Sequence, residues 1–260
     1  MIRRGELTDV AWARIMPLLP RYNGRRGRWR DLPERYGPWK TCHERLRRWT
    51  AEGTWDRILT QVRVHDDAVG AIEWVVSVDS SIVRAHQHAA GARKKGGHVA
   101  GLAGGGEALG RSRGGLSTKV HLAVDGRGRP LSILLTPGQA GDNPQLVPLL
   151  EAIRVPRLGR GCPRSRPDRV IADKAYSHPS TRAELRRRRI ATTIPERADQ
   201  KTRRRGRPPC FDRNLYHDRN VVERCFNRLK QWRGLATRYA KRAAIYGAEV
   251  VIAALMIWLR

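Results

Sequence analysis

The sequence predicts an α/β fold in which a mixed sheet is flanked by helices and preceded by a small basic helical module. Two short β-branched runs, 74–79 and 169–173, each end on an aspartate, and such runs are typical of buried parallel strands. The strand patterns at 117–124 and 131–136 are joined by Asp-Gly-Arg-Gly at 125–128, which predicts a hairpin. Helical patterns that alternate with such strands are typical of a mixed α/β sheet.

The N-terminal module is predicted to span residues 1–70. A helix within 1–20 precedes a loop rich in Arg, Gly and Pro at 21–38. Two further helices are expected at 39–49 and 54–64, where tryptophan, leucine and isoleucine recur at helical spacing.

The second predicted domain spans residues 71–260. Ten glycines within 91–115 predict a loop, because this stretch offers almost no large apolar side chain to bury. Asp142-Asn143-Pro144 predicts a helix N-terminus, and a second, very basic loop is expected at 196–212. The other expected elements are a helix that continues from Asp142 to Ile153, three further helices at 181–189, 216–232 and 241–259, and a strand at 190–194.

The charge balance favours a polyanionic partner. The chain has 52 Lys and Arg against 24 Asp and Glu, which gives a net charge of +28 and excludes most cytosolic metabolic enzymes as models. Nucleic acid is the commonest polyanion, and acidic membrane surfaces come second. We expect a cytoplasmic protein, because no signal peptide is readable and the apolar run 243–259 carries Glu249 and is shorter than a span. The four cysteines are widely separated and predict neither a zinc nor a disulfide framework.

Two acids follow the predicted parallel-type strands, Asp79 and Asp173. Sheets of this kind bind ligands beyond the carboxyl ends of their strands, so the two carboxylates could share a cation. Each acid could instead cap the following segment or pair with a nearby arginine.

The segment 216–230 carries four polar residues on one helical stripe. At about 100° per residue, Tyr216, Arg219, Glu223 and Lys230 align on one side and the apolar residues face the other. Either this face is an ordinary solvated surface, or it presents a phenol, two cations and a carboxylate to a ligand.

Three ordered motifs carry a resemblance to a known family. Tyr-x2-Arg-x3-Glu-x6-Lys at 216–230 resembles the signature of insertion-sequence transposases of the DDE type. Val-Asp-Ser-Ser-Ile-Val-Arg-Ala-His at 78–86 and Ile-Ala-Asp-Lys-Ala-Tyr at 171–176 resemble the first and second aspartate motifs of that family. The chain is most similar to the insertion-sequence-five branch, over almost its whole length.

The resemblance implies an RNase H-like fold and a catalytic set of Asp79, Asp173 and Glu223, which would hold two Mg²⁺ or Mn²⁺ ions. It implies cleavage of double-stranded DNA at the terminal inverted repeats of the element, followed by strand transfer into target DNA. Tyr216, Arg219 and Lys230 would contact the DNA. The protein is then expected to be a homo-oligomer, at least a dimer on DNA, and to associate with the nucleoid.

The resemblance also implies that the N-terminal module binds DNA or supports dimerisation, and one departure from the family lies in this module. In relatives, two stretches that resemble 27–31 and 29–39 are separated by a further helix, whereas here they are fused at Trp29-Arg30-Asp31. The module is therefore predicted to be shortened by an internal deletion. The alternative function is a degenerate or repurposed copy that binds DNA without transposing it; an unrelated RNA-binding protein is disfavoured because no aromatic-rich motif is present.

A last motif, His86-x-His88, could ligate zinc. No second pair of ligands follows at a suitable spacing, so a surface or DNA-facing position is the expectation.

Overall fold

The computed structural model describes residues 8–15, 37–91, 106–112 and 114–260. The helices within these ranges are α1 (Asp9–Ile15), α2 (Trp39–Ala51), α3 (Thr54–Ala68), α4 (Gln87–Ala90), α5 (Leu146–Glu151), α6 (Pro179–Arg187), α7 (Ala198–Arg203), α8 (Arg213–His217), α9 (Asn220–Lys230), α10 (Arg233–Ala236) and α11 (Ala243–Trp258). The strands are β1 (Val75–Ala85), β2 (Gly110–Ser112), β3 (Gly115–Val124), β4 (Pro130–Pro137), β5 (Arg169–Ala172), β6 (Ala191–Thr193) and β7 (Thr237–Arg238). The fused junction at 29–31, the rest of the predicted first helix and most of the glycine-rich loop lie outside the described residues.

The described strands form one mixed sheet. Its central order is β4-β3-β1-β5-β6, in which β3 is antiparallel to both of its neighbours, β4 and β1, and in which β1, β5 and β6 are parallel. The short strands extend two of these ladders, because β2 pairs with the start of β3 and β7 pairs with the end of β1. The predicted α/β class with a mixed sheet and a β3–β4 hairpin is confirmed.

Helices from both ends of the chain cover the sheet. In one hydrophobic cluster, Ile58 and Leu59 of α3 are buried together with Val76 of β1 and Trp258 of α11. In a second cluster, α9 packs its apolar side against β3 and β4. The central helix α11 is apolar on all sides, and none of the described helices has the length and apolar character required to cross a membrane.

Two elements of the site differ from the prediction. The strand expected to end at Asp79 continues to Ala85, because β3 pairs with β1 as far as Arg84. Asp79 therefore lies inside a strand rather than at its end. The helix expected over 216–232 is interrupted, since α8 ends at His217 and α9 begins at Asn220.

Three loop predictions also need correction. Residues 110–112, placed in the glycine-rich loop, form β2. The basic loop 196–212 contains the short helix α7. The helix expected from Asp142 begins as a 3-10 turn at Asn143–Gln145, and the Asp142 side chain does not cap it, because it is bonded to other strands.

Candidate active site

The first two acids lie at one edge of the β1–β5 pair. Val78 pairs with Ala172, the last residue of β5, so Asp79 and Asp173 are the next residues on two parallel neighbours. Asp173 accepts a hydrogen bond from the Ala175 backbone N–H at 2.9 Å, which fixes its side chain at the start of a 3-10 turn. The predicted proximity of the two aspartates therefore follows from the register of the sheet, although Asp79 is not terminal.

Arg219 bridges the carboxylates of Asp79 and Glu223. Nη1 of Arg219 donates to Oδ2 of Asp79 at 2.9 Å, and Nη2 of the same guanidinium donates to Oε1 of Glu223. One planar guanidinium therefore spans two of the three predicted carboxylates. This contact connects residues 140 positions apart, and the helix α9 supports it by burying Val222 and Cys225 against the sheet.

Burial and charge have opposite effects on the pKa of Asp79. Burial raises the pKa of this carboxyl above its ordinary value, the neighbouring Asp173 adds to the rise, and the Ser80 backbone N–H and Arg219 oppose it. The pKa of Arg219 would be lowered by burial, but the carboxylates of Asp79 and Glu223 outweigh this effect and raise it. A partly buried acid of this kind favours a nearby cation.

The remaining predicted residues lie next to this cluster. Nζ of Lys230 donates to Oγ of Ser81 at 2.6 Å, two residues beyond Asp79 on the same face of β1. The Tyr216 ring packs against Phe211 with ring centroids 5.2 Å apart, and the Arg219 guanidinium lies 5.9 Å from its centre. The break between α8 and α9 does not separate the motif, because Asp218 and Arg219 keep helical backbone angles.

The carboxylate donors of the site suit a divalent metal ion, but two of them are bonded to Arg219 in this structure. Among the described residues, no three or more His, Cys, Asp and Glu side chains are grouped closely enough to hold a metal ion. The guanidinium of Arg219 is the cation that joins Asp79 to Glu223. Carboxylate oxygens are the ligands that hard divalent ions prefer, so the chemistry of the set fits such an ion once Arg219 has left at least one carboxylate.

Sequence reasoning missed a polar network behind Asp79. Oγ of Ser80 donates to Oδ1 of Asp142 at 2.6 Å, and Nζ of Lys119 donates to the same oxygen at 3.0 Å. Asp142 also lines a cavity of about 370 Å³ together with Asp173 and Arg197. The Asp-Asn-Pro pattern indicates a helix cap, and no other signal in the sequence singles out Asp142.

Comparison with known families identifies the chain. The family model described as "Transposase DDE domain" matches residues 70–259. The chain belongs to the DDE transposase family. A second model, for transposases of the IS4/5 family, matches residues 24–59 and so lies in the N-terminal part of this transposase.

Two curated relatives named as putative transposases agree with the family assignment. A "Putative transposase for insertion sequence element IS6501" of Brucella ovis is 37% identical over 146 residues, which are 56% of this chain and 100% of the relative. A "Putative transposase for insertion sequence element IS402" of Burkholderia cepacia is 34% identical over 54% of this chain and 62% of the relative. An uncharacterized protein of Sinorhizobium fredii is 49% identical over 28% of this chain and 55% of its own length. No solved structure matches the chain significantly.

The family assignment confirms the resemblance found in the sequence. The mixed sheet flanked by helices is the RNase H-like arrangement expected of a DDE transposase. The chain is thus an enzyme of DNA transposition, and its family uses divalent metal ions. The division of the chain near residue 70 and the roles of the individual site residues stay predictions.

Proposed function

We propose that this transposase cleaves DNA at the ends of an insertion sequence and joins the freed ends to target DNA, with Asp79, Asp173 and Glu223 as its catalytic carboxylates. The observation that carries the proposal is the pair of hydrogen bonds by which the Arg219 guanidinium joins Asp79 to Glu223, next to Asp173. The three carboxylates would hold two Mg²⁺ or Mn²⁺ ions. Such ions activate an oxygen nucleophile and stabilise the leaving oxygen of a phosphodiester.

The chain's own residues prepare the site for this ligand. The hydrogen bond from Ala175 fixes the Asp173 carboxylate, and the Ser80 backbone N–H at 2.8 Å orients the Asp79 carboxylate. Arg219 keeps Asp79 and Glu223 paired until a metal ion or a substrate phosphate competes for one of the partners. Because Arg219 offsets their charge, Asp79 and Glu223 can lie close together without either of them being protonated.

Three residues of the cluster are proposed to contact DNA. Lys230 is exposed apart from its hydrogen bond to Ser81, and it would bind a backbone phosphate near the cleaved phosphodiester bond. Arg219, once released from a carboxylate, would bind a second phosphate, and Tyr216 would stack on a base or bond to a phosphate. The substrates are the terminal inverted repeats and target DNA, with at least two copies of the protein on the DNA. Such substrates would place the protein at the nucleoid.

The test is a nicking and joining assay with DNA that carries the repeats flanking the gene. In Mg²⁺ the protein should free 3′ hydroxyl ends and join them to a second duplex. Asp79→Asn, Asp173→Asn and Glu223→Gln should each abolish both products and leave DNA affinity equal or higher, because a negative charge near phosphates is lost. Asp168→Asn is the matched control, since this acid is 65% exposed at the start of β5. Unchanged nicking by any of the three variants would refute that assignment.

The fused Trp29-Arg30-Asp31 junction favours a second candidate function. A shortened N-terminal module would impair recognition of element ends while leaving the carboxylate cluster intact. In that case the protein should bind DNA but produce no nick, even with Mn²⁺ and with end DNA at saturating concentration. The same assay therefore separates an active transposase from a copy that only binds.

A further inference from the structure

An exposed aromatic cluster lies where β1 ends. The His86 ring packs against Tyr239 with centroids 4.6 Å apart and planes inclined by 30°, and the His88 ring meets His86 edge-on, also at 4.6 Å. The cluster is held by backbone bonds, because the His86 N–H donates to the Arg238 carbonyl beside β7. These three rings, here called the His86–Tyr239 stack, take no part in the site described above.

The stack lies on the same strand as the catalytic acid. From Asp79, β1 runs past Ser81, where Lys230 is bonded, to Ala85, which pairs with Arg238 of β7. Ala85 lies six residues beyond Asp79 along the strand, a distance of roughly 20 Å. Because His86 lies an odd number of residues from Asp79, its side chain belongs to the opposite face of β1. DNA bound at the carboxylates and at Lys230 would therefore reach the stack by passing around the end of β1.

The surroundings of the stack are basic, and its rings are accessible. Tyr239 is 36% exposed, and the nearby Arg84, Arg233 and Lys241 are exposed as well. The backbone N–H of His88 donates to Nδ1 of His86, so the neutral ring carries its proton on Nε2 and can donate it to a partner.

We propose that the His86–Tyr239 stack binds an unpaired nucleobase of DNA that is held at the carboxylates and passes around the end of β1. Aromatic side chains in a positively charged groove hold unpaired bases by stacking, with little dependence on base identity. Exposed cations at 84, 233 and 241 supply the charge, and the Nε2 proton of His86 can bond to a base edge. The inference rests on the proposed DNA substrate but not on cleavage.

The first experiment uses the unaltered protein. A duplex with a single-stranded extension carries 5-iododeoxyuridine in the extension, and ultraviolet light crosslinks that base to an aromatic ring that it contacts. Mass spectrometry should locate the crosslink at Tyr239 or His86. Crosslinks found only at other aromatic residues would overturn the proposal, whatever the outcome of the nicking assay.

Variants then test the energetic role of the ring. Tyr239→Leu should lower the preference for extended over fully paired DNA at least fivefold, while Tyr239→Phe keeps the preference. The dependence of affinity on salt should not change, because no cation is removed. A Tyr239→Leu protein that folds and keeps the wild-type preference would refute the inference, while a protein that crosslinks but never nicks would refute only the cleavage proposal.

Discussion

Removal of Arg219 should strengthen metal binding. In the structure this guanidinium forms ion pairs with both Asp79 and Glu223, so a metal ion must compete with it for both carboxylates. A hydrogen bond between charged groups contributes about 1.5–3 kcal/mol, and the exposure of Glu223, at 48%, reduces the contribution of its bond. The Asp79 bond, whose side chains are 19% and 23% exposed, keeps most of its contribution.

Arg219 therefore weakens metal binding by about 1–2 kcal/mol. The Arg219→Ala variant should bind Mn²⁺ about 5–30 times more tightly than the wild type. The measurement is isothermal titration of the DNA-free protein with Mn²⁺, so that it does not depend on catalysis. Arg224→Ala is the matched control, because it removes the same charge from an exposed position on the same helix. Equal Mn²⁺ affinity of the two variants would show that general charge, and not the Arg219 contact, governs metal binding.

Two further predictions concern other charged residues. Lys230→Ala should weaken binding of end DNA by roughly 1–3 kcal/mol without loss of stability, whereas Arg228→Ala, off the Lys230 face, should have a smaller effect in the same binding titration. Burial raises the pKa of Glu249 from 4.5 to about 7, so its favourable contribution to stability is complete below pH 4.5 and is lost as the pH rises through 7. Glu249→Gln should therefore stabilise the protein at pH 8 by about 2–3 kcal/mol relative to its effect at pH 5. Urea unfolding at the two pH values measures this difference, and an equal effect at both would contradict it.

The sequence was sufficient to predict the first half of β1, the strand β5 and the proximity of the aspartates that follow these two segments. Val75 to Asp79 and Arg169 to Asp173 are apolar runs that only a buried parallel pair accommodates, so the proximity of their final residues follows from strand geometry. The extension of β1 to Ala85 could not be predicted, because residues 80–85 form neither an apolar run nor a strict alternation of polar and apolar residues, and the extension is stabilised by pairing with β3. Such pairing depends on the tertiary register rather than on local pattern.

The partners of the charged residues were beyond the reach of the sequence. Arg238 looks like one of many arginines, yet it is fully buried and donates to the carbonyls of Glu107, Ala240 and Lys241. Helical spacing placed Arg219 beside Glu223 but gave no sign of its bond to Asp79, because that bond depends on how α9 docks on β1. Periodicity predicts which face a side chain shares, whereas the partner across the core depends on the packing of whole elements.

Competition for Arg219 also determines how metal and DNA binding depend on each other. A metal ion that takes Asp79 and Glu223 releases a guanidinium next to the proposed phosphate path, and a phosphate that takes Arg219 leaves the two carboxylates without their cation. Each ligand should therefore favour the other, and by thermodynamic linkage Mn²⁺ must tighten DNA binding by the same factor by which DNA tightens Mn²⁺ binding. The alanine variant at position 219 already lacks the competing cation, so its two affinities should be largely independent. If metal and DNA binding stayed coupled to the wild-type extent in that variant, the coupling would have to arise from direct contact between the metal ion and a phosphate, and Arg219 would have no part in it.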